Sequence, residues 1–198
     1  MISVIDYGMG NLQSVSNALN YLDIPFMITN NKEEIKKSKA ILIPGVGAFY
    51  DAMKNMRDMG LDKLIKKEST KKPILGICLG MQILFEKGEE VKEIEGLGLI
   101  EGTVKKMEVD YKVPHIGWNN IKINNKSDIL KDIDEDYVYF VHSYYAETLV
   151  EVVDAYCEYG INIPAIVSKG NIYGMQFHPE KSGVVGMRLL KNFWEVVK

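Results

Sequence analysis

Cysteine is scarce in this chain. Cys78 and Cys157 are the only two among 198 residues, they form no Cys-x-x-Cys pair, and no histidine cluster accompanies them. A disulfide framework and a zinc-ligand cluster are thereby excluded, no metal or cofactor is called for, and a reducing cytoplasm is the expected compartment. Long apolar runs are missing as well: no stretch of about 18 apolar residues occurs. The N-terminal MISVIDYGMGN has no basic segment ahead of an apolar one, so neither a membrane span nor a signal peptide is expected. Nor is there an excess of one charge. With 24 Lys and Arg against 27 Asp and Glu, the formal net charge is −3 and the basic residues are scattered, which leaves no footprint for nucleic acid. What the chain does have is 46% hydrophobic residues against 26% charged, the balance of a globular protein, over a length that suits one domain spanning 1–198.

Through the first half, short β-rich runs alternate with helical patterns. Residues 2–5, 25–29, 40–43 and 73–78 read as strands. Apolar residues at 12, 15, 18, 19 and 22 line one helical face, and helices are predicted near 49–68 and 80–87. Such alternation implies an α/β fold, a mainly parallel sheet flanked by helices. From about residue 96 closely spaced strands follow at 98–106, 116–123, 137–142, 151–159, 165–169 and 172–177, several of which should pair antiparallel and extend the sheet. Ser182 is expected to cap a last helix whose core stripe is Val185, Leu189, Leu190, Phe193, Trp194 and Val197.

Chemistry concentrates in three segments. Residues 74–82, ILGICLGMQ, run from an apolar strand into a helix with Gly76 and Gly80 two residues either side of Cys78. A nucleophile on so sharp a turn needs glycines, because a β-carbon there would meet neighbouring backbone, and the helix N-terminus favours thiolate. Alone, the same pattern also suits a small buried cysteine among packing glycines. The second segment, QFHPE, follows a predicted strand: His178 can take the thiol proton and return it to a leaving amine, while Glu180 orients the imidazole and stabilises its charged form. The third, Pro44-Gly45-Val46-Gly47, follows another strand and offers backbone N–H groups for an oxyanion; by itself it is equally a plain glycine turn.

Taken in order, PGVG, GICLGMQ and HPE resemble the class I (triad) glutamine amidotransferases, and the likeness covers essentially the whole chain. The resemblance implies a flavodoxin-like fold in which Cys78 attacks the carboxamide of glutamine, His178 serves as acid and base, and Glu180 holds His178. It further implies oxyanion donors at the N–H of Leu79 and in the Gly45, Val46, Gly47 loop, Val46 foremost, with Gln82 and the backbone around Ser143 and Tyr144 holding the amino-acid end of the substrate. Within that family DYGMGN, PGVGAF, HIGWN and FVHSYY are similar to members that dock on a separate (β/α)₈ cyclase. There ammonia passes through the barrel, yielding imidazole glycerol phosphate and an aminoimidazole carboxamide ribotide in histidine biosynthesis. Asn11, Trp118, Tyr139 and Lys181 match the docking face of those members. The same likeness suggests that the PGVG loop forms its donor geometry only on docking, which a glycine-flanked peptide permits.

Other readings are weaker. Gly8-Met9-Gly10 follows the first strand, yet Gln13 stands where a dinucleotide fingerprint needs glycine, and Thr29, Asn30 and Asn31 end the second strand where an acidic ribose ligand belongs. A cysteine peptidase or esterase would share the elbow and triad but not the remaining segments. A purely regulatory chain would be expected to have lost its nucleophile or base, and both are present. His115, His142 and Cys157 are expected to be structural. Because the last predicted helix runs to the C-terminus at Lys198, the sequence leaves no room for a synthase domain, so a partner is expected to receive the ammonia.

Overall fold

The computed structural model describes residues 1–198. Its strands are β1 (Ile2–Ile5), β2 (Phe26–Thr29), β3 (Ala40–Ile43), β4 (Ile74–Ile77), β5 (Phe85–Gly88), β6 (Ile94–Glu95), β7 (Ile100–Lys106), β8 (His115–Asn120), β9 (Lys122–Ile123), β10 (Tyr137–His142), β11 (Tyr144–Glu147), β12 (Val153–Glu158), β13 (Asn162–Lys169) and β14 (Ile172–Met175). The helices are α1 (Leu12–Tyr21), α2 (Lys32–Lys37), α3 (Phe49–Asp58), α4 (Leu61–Glu68), α5 (Leu79–Gln82) and α6 (Gly183–Val197).

One eight-stranded sheet runs in the order β2-β1-β3-β4-β14-β13-β12-β9. Its first five strands are mutually parallel and the last three join antiparallel; four of the five come from the first half of the sequence, as expected, whereas β14 returns from the second half to lie parallel to β4. β1, β3, β4 and β14 are buried at every position, which is why they read as unbroken apolar runs: helices cover both faces of a parallel sheet. Val15 and Leu19 of α1 and Leu189, Leu190 and Phe193 of α6 form the core on one face. Ile35 of α2, Met53 and Met56 of α3 and Leu64 and Ile65 of α4 form it on the other. A four-stranded sheet, β11-β7-β5-β6, and the hairpin-like pair β10-β8 flank this unit. No helix is long and apolar enough to cross a membrane.

Several boundaries differ from the expectations. The predicted helix over 49–68 is two, separated at Gly60, whose φ of +63° no right-handed helix accommodates. The helix expected over 80–87 stops after one turn at Gln82; Phe85–Gly88 is instead β5, laddered between β6 and β7. The strand over 116–123 splits at Ile121, whose N–H bonds Asp136 O at 2.9 Å, and only Lys122–Ile123 joins the main sheet. Residues Val150–Val152 form a 3-10 turn, so the strand expected from 151 begins at Val153. Ser182 occupies the N-cap position of α6 without capping it, because its hydroxyl donates to His178 O at 2.6 Å and accepts from Tyr139 N at 3.0 Å.

In an open α/β sheet of this kind the carboxyl ends of the parallel strands bound the functional crevice. Here the segments leaving β1 (Asp6 to Asn11), β3 (Pro44 to Gly47), β4 (Cys78) and β14 (Gln176 to His178) all emerge at that edge. Sheet order alone therefore brings the three chemistry-bearing segments together.

Candidate active site

Cys78 lies between β4 and α5 with φ 55° and ψ −114°, a left-handed conformation that costs a non-glycine residue on the order of 1–3 kcal/mol. Its neighbours leave no alternative. A β-carbon on Gly76 would strike the carbonyl of Gly80, and one on Gly80 would strike the carbonyl of Ile43. Gly45 is packed as closely, with its would-be Cβ 2.6 Å from Gly80 N and 2.7 Å from the Tyr7 hydroxyl. The elbow and the PGVG loop thus interlock through glycines, with Tyr7 Oη donating to Pro44 O at 2.8 Å as a further tie. Leu79 opens α5, where an N–H has no intrahelical acceptor by position.

His178 and Glu180 sit on the turn after β14. Nδ1–H of His178 donates to Glu180 Oε1 at 2.8 Å, with both side chains almost wholly buried. The backbone N–H of His178 bonds Tyr139 O at 3.0 Å, so β10 and Ser182 together hold the imidazole. Its Nε2 faces the Cys78 thiol and is bonded to no other group, which leaves that nitrogen for the chemistry. Burial alone would depress the imidazolium, but hydrogen bonding and charge from Cys78 and Glu180 outweigh it and raise the His178 pKa to about 9. Cys78 Sγ has only long contacts otherwise, 3.9 Å from Gln176 Nε2 and 4.0 Å from Val141 O.

A cavity of ≈ 310 Å³ opens over these groups, lined among others by Val46, Cys78, Gln82, Ser143, Tyr144 and His178. The residues expected to bind the amino-acid end of a substrate are thus gathered there. The Gln82 amide donates to Tyr144 O at 3.0 Å and to Gln176 Oε1 at 3.1 Å, so it is oriented by the protein and not freely offered. One expectation is not met in this state: the N–H of Val46 is bonded to Met9 O at 2.9 Å. A donor already satisfied by a carbonyl cannot simultaneously stabilise an oxyanion; the next residue, Gly47, has φ +103°, in the left-handed region that favours glycine.

Glu90 also lines the cavity, and sequence reading passed over it. It belongs to the polar run 86–93, EKGEEVKE, which has the look of a solvated surface connection. Its Oε2 accepts the Phe49 N–H at 2.6 Å across the start of α3, a non-local contact that no local pattern announces.

The positions matched to a docking face lie on neighbouring elements. Trp118 is 56% exposed and Tyr139 lies directly across from it in the β8–β10 pair, their rings 6.1 Å apart at 67°. Lys181 is exposed immediately after Glu180, on a turn against which α1 packs, and Asn11 caps α1 by accepting from Ser14 N at 3.2 Å. Cys157 is completely buried in β12, where desolvation pushes its thiol up to about 12, inert packing by its surroundings.

A strained cysteine at the end of a central parallel strand, a buried His–Glu pair on the adjacent strand and a Gly-rich loop on the other side define a cysteine hydrolase of the amidotransferase kind. The chain belongs to the class-I glutamine amidotransferase family, whose model matches residues 3–196. It is 48% identical over 200 residues, covering 100% of this chain and 96% of the relative, to the "Imidazole glycerol phosphate synthase subunit HisH" of Bacillus thuringiensis subsp. konkukian (strain 97-27). The protein of the same name from Bacillus anthracis (strain CDC 684 / NRRL 3495) is equally similar, 48% over 200 residues with the same coverage. Among solved structures, one titled "Crystal structure of glutamine amidotransferase" superposes with a TM-score of 0.79 at 22% identity, over 99% of this chain and 98% of that one. "Structure of PurLQS from Thermotoga maritima" gives 0.76 at 19%, over 100% and 98%. At those identities the two structures speak for the fold alone.

Proposed function

We propose that the chain, as one domain over 1–198, is the cytoplasmic glutaminase subunit of an imidazole glycerol phosphate synthase. It hydrolyses glutamine and passes ammonia to a separate (β/α)₈ cyclase in histidine biosynthesis. The observation that carries this reading is the juxtaposition of Cys78, at a strained elbow, with a buried His178–Glu180 pair whose Nε2 has no partner other than the Cys78 thiol it faces, in a chain 48% identical end to end to proteins named as that subunit.

In this reading Cys78 Sγ, as thiolate, adds to the carboxamide carbon of glutamine, and the carbonyl oxygen becomes an oxyanion facing the Leu79 N–H. His178, charged at Nε2, gives its proton to the departing nitrogen, which leaves as ammonia while a glutamyl thioester remains. Water then attacks the thioester carbon, His178 Nε2 takes the water's proton, and collapse releases glutamate and the Cys78 thiolate. Glu180 keeps Nδ1–H bonded throughout, so the tautomer needed at Nε2 is always presented. Glu90 supplies the negative charge that an α-ammonium group requires, while Gln82 and the Ser143–Tyr144 segment supply polar groups around the rest of the amino-acid end.

Partner docking is inferred at the β8–β10 face, with Trp118 and Tyr139 as aromatic anchors and Asn11 and Lys181 around them. The Val46–Met9 hydrogen bond supports gating: until the Val46 peptide turns, one oxyanion donor is withheld, and removal of such a donor lowers turnover by roughly 10²–10³. The decisive experiment measures glutamate released by the purified chain alone and with a cyclase subunit and its ribonucleotide ligand. Strong stimulation that disappears in Cys78→Ala is the expected result; a folded, cyclase-bound chain with no turnover under any condition overturns the reading.

A further inference from the structure

His115 and His142 stand outside the triad, and neither is idle. His115 lies at the start of β8 and His142 at the end of β10, paired across the two strands, and both are buried. His115 Nδ1 and His142 Nε2 are 3.2 Å apart. On the inner side His142 Nδ1 is 2.9 Å from Tyr144 O, the same carbonyl that receives the Gln82 amide in the wall of the substrate cavity. On the outer side His115 Nε2 is 3.3 Å from Asn119 Nδ2, one residue beyond the exposed Trp118.

The direction of every bond in this chain is determined from both ends. Asn119 Oδ1 accepts the Asn120 N–H at 2.8 Å and Nδ2 donates to Glu158 O at 3.1 Å, so the amide cannot be reversed and presents a donor to His115 Nε2. A neutral His115 must then carry its proton on Nδ1 and donate it to His142 Nε2. His142 in turn must carry its proton on Nδ1, which is what a carbonyl acceptor at Tyr144 requires. An added proton on either ring would set two donors facing one another. Burial accordingly holds His115 down to about 4; burial, opposed by the Tyr144 bond and reinforced by the His115 and His178 rings, holds His142 to about 3. His115 is further clamped by stacking on Phe140 at 4.8 Å and Tyr159 at 4.0 Å between ring centroids.

We propose that Asn119 and His115 are positioning residues for glutamine binding: they lock His142 in the Nδ1–H tautomer and so tie the Tyr144 carbonyl, in the wall of the substrate cavity, to the strand that carries Trp118. The relay is uncharged and one-directional, and a displacement of β8 at the docking face reaches the Ser143–Tyr144 segment through two rigid rings. This inference rests on the glutaminase reading and adds a device to it.

The test is glutamine turnover by the chain in complex with its cyclase, together with ¹⁵N spectra of histidine-labelled protein. His115→Phe preserves the stack but removes both nitrogens; KM for glutamine is expected to rise about fivefold, the scale of one net hydrogen bond, with kcat within about twofold. In the same variant the ¹⁵N shift of His142 Nε2 should move, because it loses its hydrogen-bond donor, while Nδ1 keeps its proton against Tyr144 O. His115→Asn, whose amide places a donor near the former Nδ1, should return KM to within about twofold of wild type, a rescue that a space-filling role does not give. If His115→Phe does not fold, Asn119→Leu at the half-buried outer end of the relay decides the matter, with a KM increase of about threefold expected from loss of the outer donor. An unchanged KM in whichever of these variants is folded overturns the relay, whatever tautomer His142 shows. A wild-type complex without turnover sinks the glutaminase reading and the relay's purpose together, whereas normal wild-type turnover with unchanged KM in the variant sinks the relay alone.

Discussion

A single methyl group separates a working elbow from a broken one at Gly80, where the backbone of α5 rests on the Ile43 carbonyl of β3. Since neither a strand carbonyl nor a helix backbone can move aside, Gly80→Ala is expected to destabilise the chain by at least about 3 kcal/mol, at the upper end of overpacking costs, and to abolish turnover in whatever fraction folds. Urea unfolding and glutamate release measure the two effects. The glycines flanking Cys78 were legible because the close approach of Gly76 to Gly80 is local to the turn, although the Ile43 carbonyl that Gly80 also meets comes from another strand; the pairing of His178 with Glu180 two residues on is equally local. Glu90 was not legible: its place in the cavity comes from a contact with the start of α3 some forty residues away in the chain. Glu90→Gln keeps an acceptor for Phe49 N–H and removes only the charge. KM for glutamine is expected to rise tenfold or more, the weight of a charge-assisted bond, with folding unaffected. A KM within about twofold of wild type would remove Glu90 from the substrate site.

Elements that depend on periodicity or on a run of apolar residues were readable, and those whose identity depends on a distant partner were not. The four central strands announced themselves as apolar runs because both of their faces are covered. α2 escaped notice because its six residues KEEIKK carry one apolar side chain, Ile35, and its start relies on Asn31 accepting from Glu33 and Glu34 N–H groups. β5 looked helical because it follows α5 directly, and only its ladders with β6 and β7 make it a strand. The β8–β10 pair has a consequence of its own. A 56% exposed Trp118 contributes little to the core, so Trp118→Ala should leave thermal stability nearly unchanged, yet weaken cyclase binding by roughly thirtyfold if it is an interface anchor. Calorimetric titration against the cyclase reads the affinity; a drop in melting temperature with unaltered affinity would return Trp118 to a structural role.

At the scale of the whole molecule, the sheet order decides which loops meet, and from β1, β3, β4 and β14 it gathers a cysteine, a His–Glu pair and a turning peptide at one edge. The three histidines near that edge are pulled in opposite directions, and stability must follow. His178 is raised from 6.5 to about 9, so the folded state holds its proton more tightly. Its contribution is complete below pH 6.5 and lost as pH climbs toward 9, by up to about 1.4 kcal/mol per pH unit. His115 and His142 are lowered to about 4 and about 3, so the unfolded chain binds their protons first. Their contribution is complete above pH 6.5 and lost as pH falls toward 4, again by up to about 1.4 kcal/mol per pH unit for each. Urea unfolding between pH 5 and pH 9 should therefore give a maximum near pH 6.5, with an acid limb about twice as steep as the alkaline one. Cys78→Ala, which removes the partner that most favours His178 in its charged form, should flatten the alkaline limb and leave the acid limb as it was. His115→Phe should do the reverse, taking away at least one of the two acid-limb protons, and a stability that does not change between pH 5 and 6.5 would mean that the buried His115–His142 pair is not held neutral.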